Sequence, residues 1–307
     1  MLLHRLTRML FLICAGFAGV LGQPGQARAQ STDTPQPDSP ADVRELDRDG
    51  VFEPGTISKA GRYEFCAALS EDGREFFVSI QHDGYVEILT SRHEDGAWTD
   101  PVHVIGTPDF SAQDPMLSLD GRRLYFISKP EGHGDIWFIE REEEGWSAPV
   151  RLPAPINTEH NEYYISFAET GELAFASDRA AEQLGDYDVY LTTAAGNTFT
   201  EPVPLPRPVN TRLYEADPFL SPDGTYLLFA SNRRGGPEGS LGLRDLYVSF
   251  RDGEGQWTEP KNLGPEVNSA GLELCPYANV TLGRLFYTSR KNIHSVDLDL
   301  VTKHRPR

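Results

Sequence analysis

Apolar residues fall along this chain in short bursts cut by polar turns, and no helical period of useful length runs through them. One phrase introduces the bursts: a polar turn, ending in glycine, that opens an apolar strand. It reads Ser70-Glu71-Asp72-Gly73, Ser118-Leu119-Asp120-Gly121, Glu169-Thr170-Gly171, Ser221-Pro222-Asp223-Gly224 and Thr281-Leu282-Gly283. The glycines lie 48, 50, 53 and 59 residues apart. Self-similarity at such a period marks a propeller or a solenoid, built from units that cannot bury an apolar face alone.

The fourth copy shows the unit most clearly. Glu215 to Leu220 reads as a strand, Ser221-Pro222-Asp223-Gly224 as a turn, and Tyr226 to Ala230 as a strand covered on both faces. Asp245 to Phe250 alternates as a third strand, and an outer strand begins near Pro260. Four short antiparallel strands in such a length make one propeller blade. The other copies follow suit. An aromatic recurs as Trp98, Trp146, Phe199 and Trp257, with a proline three residues later each time. An outer-strand exit recurs as Ile156-Asn157-Thr158, Val209-Asn210-Thr211 and Val267-Asn268-Ser269, leading to Glu162, Glu215 and Glu273.

The expected fold is all-β, a single propeller of five four-stranded blades. Six is the alternative if a degenerate blade hides between residues 40 and 65. The fifth blade runs out of chain after Leu300, whereas Pro54-Gly55-Thr56-Ile57-Ser58, followed by Glu64, resembles an outer-strand exit with no blade before it. An N-terminal strand is therefore expected to complete the last blade and close the ring, removing open edges. Counting seven residues back from the turn glycine gives Cys66, Asp114, Tyr164 and Asp217, and Cys275 holds that place in the fifth copy after one insertion. The two cysteines thus occupy equivalent inner-strand positions in neighbouring blades of a closed ring. A Cys66–Cys275 disulfide is expected in an oxidising compartment, with two buried thiols as the alternative.

The phrase Glu-x-Asp-Pro-x-x-Ser-Pro-Asp-Gly, followed by Ala230-Ser231-Asn232-Arg233 and Asp245-Leu246-Tyr247, resembles the WD40-like repeat of TolB-type β-propellers, over roughly residues 52–300. The resemblance implies an exported propeller acting as an interaction scaffold in the bacterial envelope. It concerns the propeller alone: the α/β domain that precedes the propeller in TolB has no counterpart here, so a role in the Tol system does not carry over.

The ends and the charge refine this picture. Arg5 and Arg8 precede an apolar run from Met9, and Ala27-Arg28-Ala29 offers a small-x-small cleavage site, so residues 1–29 read as a signal peptide. Residues 30–49, rich in Ser, Pro, Asp and Thr, read as a disordered linker. Residues 50–303 make the propeller and 304–307 a tail. No membrane span is expected after cleavage, and the mature chain is expected to be periplasmic or secreted and monomeric. With 28 basic and 46 acidic residues the net charge is −18, which repels phosphate backbones and excludes a nucleic-acid binder.

Strand order gathers the strand-two loops and the blade-to-blade crossings on one face. Candidate ligand- or partner-binding residues there are Glu64, Glu162, Glu215 and Glu273, with Arg179 and Arg233 at the ends of second strands. Asp114, Tyr164 and Asp217 on the inner strands and His160 beside them complete the set. Recurrence of Glu and Arg in blade after blade argues for a scaffold task, and departures from the repeat argue for function. The departures are His160-Asn161-Glu162-Tyr163-Tyr164 in blade three, the glycine-rich Arg234–Gly242 loop in blade four, and His133 in blade two, which is either a ligand or an exposed turn residue. The glycine loop lacks the Lys-Ser/Thr ending of a phosphate loop. No His pair stands at metal-ligand spacing and no Ser-His-Asp signature is present, so neither metal nor cofactor is expected. An envelope protein or glycan is the expected partner. The competing class is a propeller glycoside hydrolase working through the inner-strand carboxylates Asp114, Glu162 and Asp217.

Overall fold

The computed structural model describes residues 50–306 apart from 54, 180–184, 196–197 and 235–242. The signal peptide, the linker, Pro54 and nearly all of the blade-four glycine loop lie outside the described residues. The rest is an all-β propeller of five small antiparallel sheets.

Blade one comprises β1 (Tyr63–Leu69), β2 (Glu75–Gln81), β3 (Val86–Glu94), β4 (Ala97–Trp98) and β5 (Val102–Ile105). Blade two comprises β6 (Gln113–Leu117), β7 (Arg123–Ser128), β8 (Asp135–Glu140) and β9 (Val150–Arg151). Blade three runs through β10 (Glu162–Phe167), β11 (Glu172–Ser177), β12 (Asp188–Ala195), β13 (Thr198–Phe199) and β14 (Val203–Pro204). Blade four has β15 (Glu215–Leu220), β16 (Tyr226–Ser231), β17 (Asp245–Phe250) and β18 (Lys261–Asn262), and blade five has β19 (Glu273–Asn279), β20 (Arg284–Ser289) and β21 (Asn292–Asp297). Blades one and three carry a fifth strand because β3 and β12 are long enough to pair with both the aromatic segment and the outer strand. A short helix α1 (Asp299–Thr302) follows.

The recurring phrase is explained by its own hydrogen bonds. In three copies the Asp side chain accepts from the N–H two residues on (Arg74, Arg122 and Thr225, each 3.0 Å) while the Ser hydroxyl donates to the Asp at 2.6–2.7 Å. The turn is an Asx turn, and its closing glycine takes a left-handed φ of +69° at Gly73 and +67° at Gly121. The recurring exit asparagines stand in for missing strand partners. The Asn157 amide accepts from the Ile136 N–H and donates back to the Ile136 carbonyl, and Asn210 does the same to Val189 and Asn268 to Leu246.

The second strand of each blade is buried on both faces, β16 at all six positions, because the core lies between blades. Phe77 and Ile88 of blade one pack with Leu124 and Phe126 of blade two, and Phe76 and Ile80 pack with Phe286 and Ile293 of blade five. The innermost strands β1, β6, β10, β15 and β19 contact one another in sequence, and β1 meets β19. The Tyr277 hydroxyl donates to the Leu69 carbonyl at 2.6 Å and the Asn279 amide to that of Ser70 at 3.0 Å, tying blade five to blade one. Beside β21, Val51 forms an antiparallel bridge with His294, flanked by Phe52 N–H to Ile293 and Ser295 N–H to Gly50. Among the described residues the N-terminal segment contributes this bridge at the outer edge of blade five.

Candidate functional site

The recurring Glu and Arg residues are engaged in joining blades, with one oxygen of Glu64 buried without a hydrogen-bond partner among the described residues. Glu162 and Glu215 are buried; each accepts from the backbone N–H and hydroxyl of Thr158 or Thr211 in the preceding crossing and from Ser177 or Ser231 at the end of its own second strand. Arg179 and Arg233 stand 3.1 and 3.0 Å from these carboxylates. The same guanidiniums donate to the carbonyls of Pro155 and Ile156, or Pro208 and Val209, and lie over Phe175 and Tyr190, or Phe229 and Tyr247. Glu273 is held by Ser269 and Ser289, and Glu64 by the Lys59 N–H and by Arg62 at 2.8 Å. Each of these groups has a structural task that accounts for it.

The five positions counted back from the turn glycine form a distinct layer at the axis. Cys66, Asp114, Tyr164, Asp217 and Cys275 have φ of +44°, +57°, +49°, +52° and +53°, each at a break in register between first and second strands. A bulge re-aims a side chain, and here it turns one residue per blade toward the neighbouring inner strands. Cys66 and Cys275 are joined by a disulfide with Cα atoms 5.0 Å apart. The Tyr164 hydroxyl donates to the Pro276 carbonyl at 3.0 Å.

Among the described residues the two aspartates have no scaffold partner of the Glu–Arg kind. Asp217 accepts from the Cys275 N–H at 3.1 Å, and Asp114 from the Gln113 amide at 3.2 Å. Burial, reinforced by the charge of Asp217 and opposed by Gln113 and Lys129, pushes Asp114 up to about 7. Burial also raises Asp217, against the Cys275 N–H and the positive charge of Arg244.

Around these acids stands an aromatic mouth. Tyr63, Tyr163, Tyr187 and Tyr214 are half-buried. Tyr187 packs on Tyr163 at 5.6 Å between ring centroids and on Tyr214 at 5.5 Å. Lys129 lies over Tyr163 at 4.9 Å, Arg244 over Tyr214 at 3.9 Å and Lys291 over Tyr63 at 5.6 Å. Burial first, and then the neighbouring acids and phenols, hold the hydroxyls of Tyr63, Tyr163 and Tyr214 protonated well above neutrality. Of the candidates named from sequence, the structure brings together Asp114, Tyr164 and Asp217 and leaves His160 in the crossing, 3.7 Å from Asp178. Tyr63, Tyr187, Tyr214, Lys129, Arg244 and Lys291 were missed. Tyr63, Tyr163 and Tyr214 each adjoin a recurring Glu, which was the available signal, since alternation places such neighbours on the opposite side of the strand.

The opposite end of the axis is different in character. A cavity of about 300 Å³ lies among the strand-one to strand-two turns, lined by Leu69, Met116, Phe167, Phe219, Tyr226 and Tyr277.

No protein-family model and no curated protein matches the chain. Among solved structures it is similar to TolB from Acinetobacter baumannii (14% identity, 77% of this chain, 54% of that one, TM-score 0.48). It is also similar to a protein of unknown function from Dyadobacter fermentans (12%, 80% and 82%, TM-score 0.50). A third likeness is to Penicillium chrysogenum α-L-arabinanase, solved with arabinobiose (12%, 76% and 77%, TM-score 0.48). The chain spans about half the length of the Acinetobacter TolB. At these identities the likeness is one of fold. Together with the five sheets, it makes that fold a five-bladed β-propeller.

Proposed function

We propose that this chain is an exported propeller of the bacterial envelope that binds a glycan at the tyrosine-lined axial mouth, the other strands serving as a rigid frame. The observation that carries this reading is the placement of Tyr63, Tyr163, Tyr187 and Tyr214 around the two axial acids Asp114 and Asp217. Partly exposed phenol rings offer apolar surface to the C–H side of a sugar, and their hydroxyls and the carboxyls match its hydroxyl groups. Lys129, Arg244 and Lys291 at the rim favour a sugar carrying a carboxylate or phosphate. The signal-like leader and the axial disulfide support an oxidising compartment. The test is binding of the mature protein to a panel of envelope polysaccharides, with Tyr187→Ala and Tyr214→Ala alongside. Retention of one glycan class that both variants lose supports the reading. Crosslinking in the native envelope that instead captures one dominant protein, with no glycan retained, overturns it.

One observation favours a second reading, hydrolysis of the bound glycan. Burial and the charge of Asp217 push Asp114 up to about 7, so one axial carboxyl can hold a proton near neutral pH, as the general acid of a glycoside hydrolase does. Release of reducing ends by the native protein, abolished in both Asp114→Asn and Asp217→Asn, would support it; binding without release would exclude it for the glycan tested.

A further inference from the structure

We propose that the loop between β7 and β8 binds a divalent cation of the zinc class through Glu131, His133 and Asp135. Ligand atoms from these three residues lie within 4.8 Å of one another. The sequence Glu131-Gly132-His133-Gly134-Asp135 alternates ligands with glycines, and Gly132 takes φ +96°. Gly134 lies flat on blade three: a Cβ there would sit 2.9 Å from the Tyr163 ring. Its N–H donates to the Asn161 side chain at 2.9 Å, and its carbonyl accepts from the Glu162 N–H at 2.7 Å. The loop is therefore clamped beside His133 before any ligand arrives.

The three side chains are arranged for a cation rather than for each other. His133 Nδ1 is buried without a hydrogen-bond partner, 3.5 Å from Asp135 Oδ2, and Nε2 lies 4.0 Å from Glu131. Both gaps exceed a good hydrogen bond. Asp135 is fully buried and gripped by Arg151 through two bonds of 2.8 and 2.7 Å. A carboxylate so oriented keeps lone pairs free, as supporting hydrogen bonds do around metal ligands. An imidazole with two carboxylates suits zinc, with a fourth position left to solvent or substrate. Zn–N and Zn–O bonds of about 2.0–2.2 Å require ligand atoms about 3.4 Å apart, a closure that Glu131, the most exposed of the three, can supply.

Comparison between blades separates this site from the repeat. Asp188 and Asp245 open β12 and β17 in the same register as Asp135 opens β8. Asp135 thus follows the repeat, whereas blades three and four have Asp186 and Leu243 where blade two has His133, and Leu184 and Leu241 where it has Glu131. The imidazole at position 133 and the carboxylate at position 131 distinguish blade two from blades three and four.

The test is titration of the mature, tag-free protein with zinc against a chromogenic chelator, with thermal melts on every variant. One zinc per chain is expected, with affinity reduced at least about tenfold in both Glu131→Gln and His133→Ala. Glu131 is exposed, so its variant leaves the fold intact. His103→Ala is the control for the other imidazole–carboxylate cluster, in which His82 and His103 flank Glu87 at 2.6 and 2.8 Å. No zinc uptake, uptake unchanged in Glu131→Gln and His133→Ala, or uptake lost only in His103→Ala would each overturn the proposal.

Discussion

Cys66 and Cys275, 209 residues apart in the chain, are joined at the axis with their Cα atoms 5.0 Å apart, each at the bulge of its own inner strand. The bond links the first blade to the last, at the one junction where the chain does not run directly from blade to blade. A crosslink closing so long a loop restricts the unfolded chain strongly. Replacing both cysteines by serine is expected to cost about 2–4 kcal/mol, seen as a lower denaturant midpoint. A reducing agent should reproduce the shift in the native protein and do nothing to the variant. A midpoint unchanged in the variant would show that inter-blade packing alone secures the junction.

The Arg233 guanidinium makes a second kind of closure, between a blade and the crossing that enters it. It meets buried Glu215, Ser231 and the carbonyls of Pro208 and Val209 while covering Phe229 and Tyr247. Removing it leaves a buried carboxylate without its cation, so Arg233→Ala is expected to destabilise by about 3–5 kcal/mol. Arg233→Lys should recover little, because an ammonium cannot span the same acceptors. If urea unfolding shows less than about 1 kcal/mol of loss, the pair is not holding the junction.

The legible part of this protein was whatever every blade repeats. The Asp–Gly turns, the exit asparagines and the Glu and Arg positions recur because each blade needs the same bonds, and recurrence displays them in one sequence. The equivalence of Cys66 and Cys275 came from the same counting. Their left-handed backbone did not, since a bulge at Tyr164 or Cys66 leaves no propensity signal of the kind glycine gives. The mouth was illegible for the opposite reason. Tyr187 and Arg244 share a column, each just before the Asp that opens a third strand, but the residue type changes from blade to blade, and Lys129 stands elsewhere in the repeat, so only the ring brings them together.

The axial acid gives a pH dependence of defined sign. Folding raises Asp114 from an ordinary carboxylate value to about 7. The folded state therefore binds the proton more tightly than the unfolded chain. The resulting stabilisation is complete below about pH 4, declines through the interval and is gone above about pH 7. The raised Asp217 acts in the same direction. Asp114→Asn removes the charge that burial opposes. It should be near neutral at pH 4 and gain up to about 4 kcal/mol at pH 8, about three pH units at about 1.4 kcal/mol each, raising Tm by several degrees. An equal shift at both pH values would mean that Asp114 does not titrate in this range.

Two glycines with positive φ should respond very differently to alanine. At Gly121, φ is +67° and nothing lies within 4 Å of the place a methyl group would take, so Gly121→Ala meets only the left-handed penalty of about 1 kcal/mol. At Gly106, φ is +115°, and a Cβ would fall 2.4 Å from the Glu87 Cα and 2.5 Å from the Val86 carbonyl oxygen. Those are backbone atoms of β3, with which β5 pairs just before the glycine, so no rotamer change relieves the clash. Gly106→Ala is expected to cost about 3 kcal/mol or more, and to loosen β5 first, visible as faster amide exchange at His103 and Ile105 than in Gly121→Ala. Equal costs for the two would mean that the outer edge of blade one yields easily, and that the frame of this propeller resides in its inner three strands.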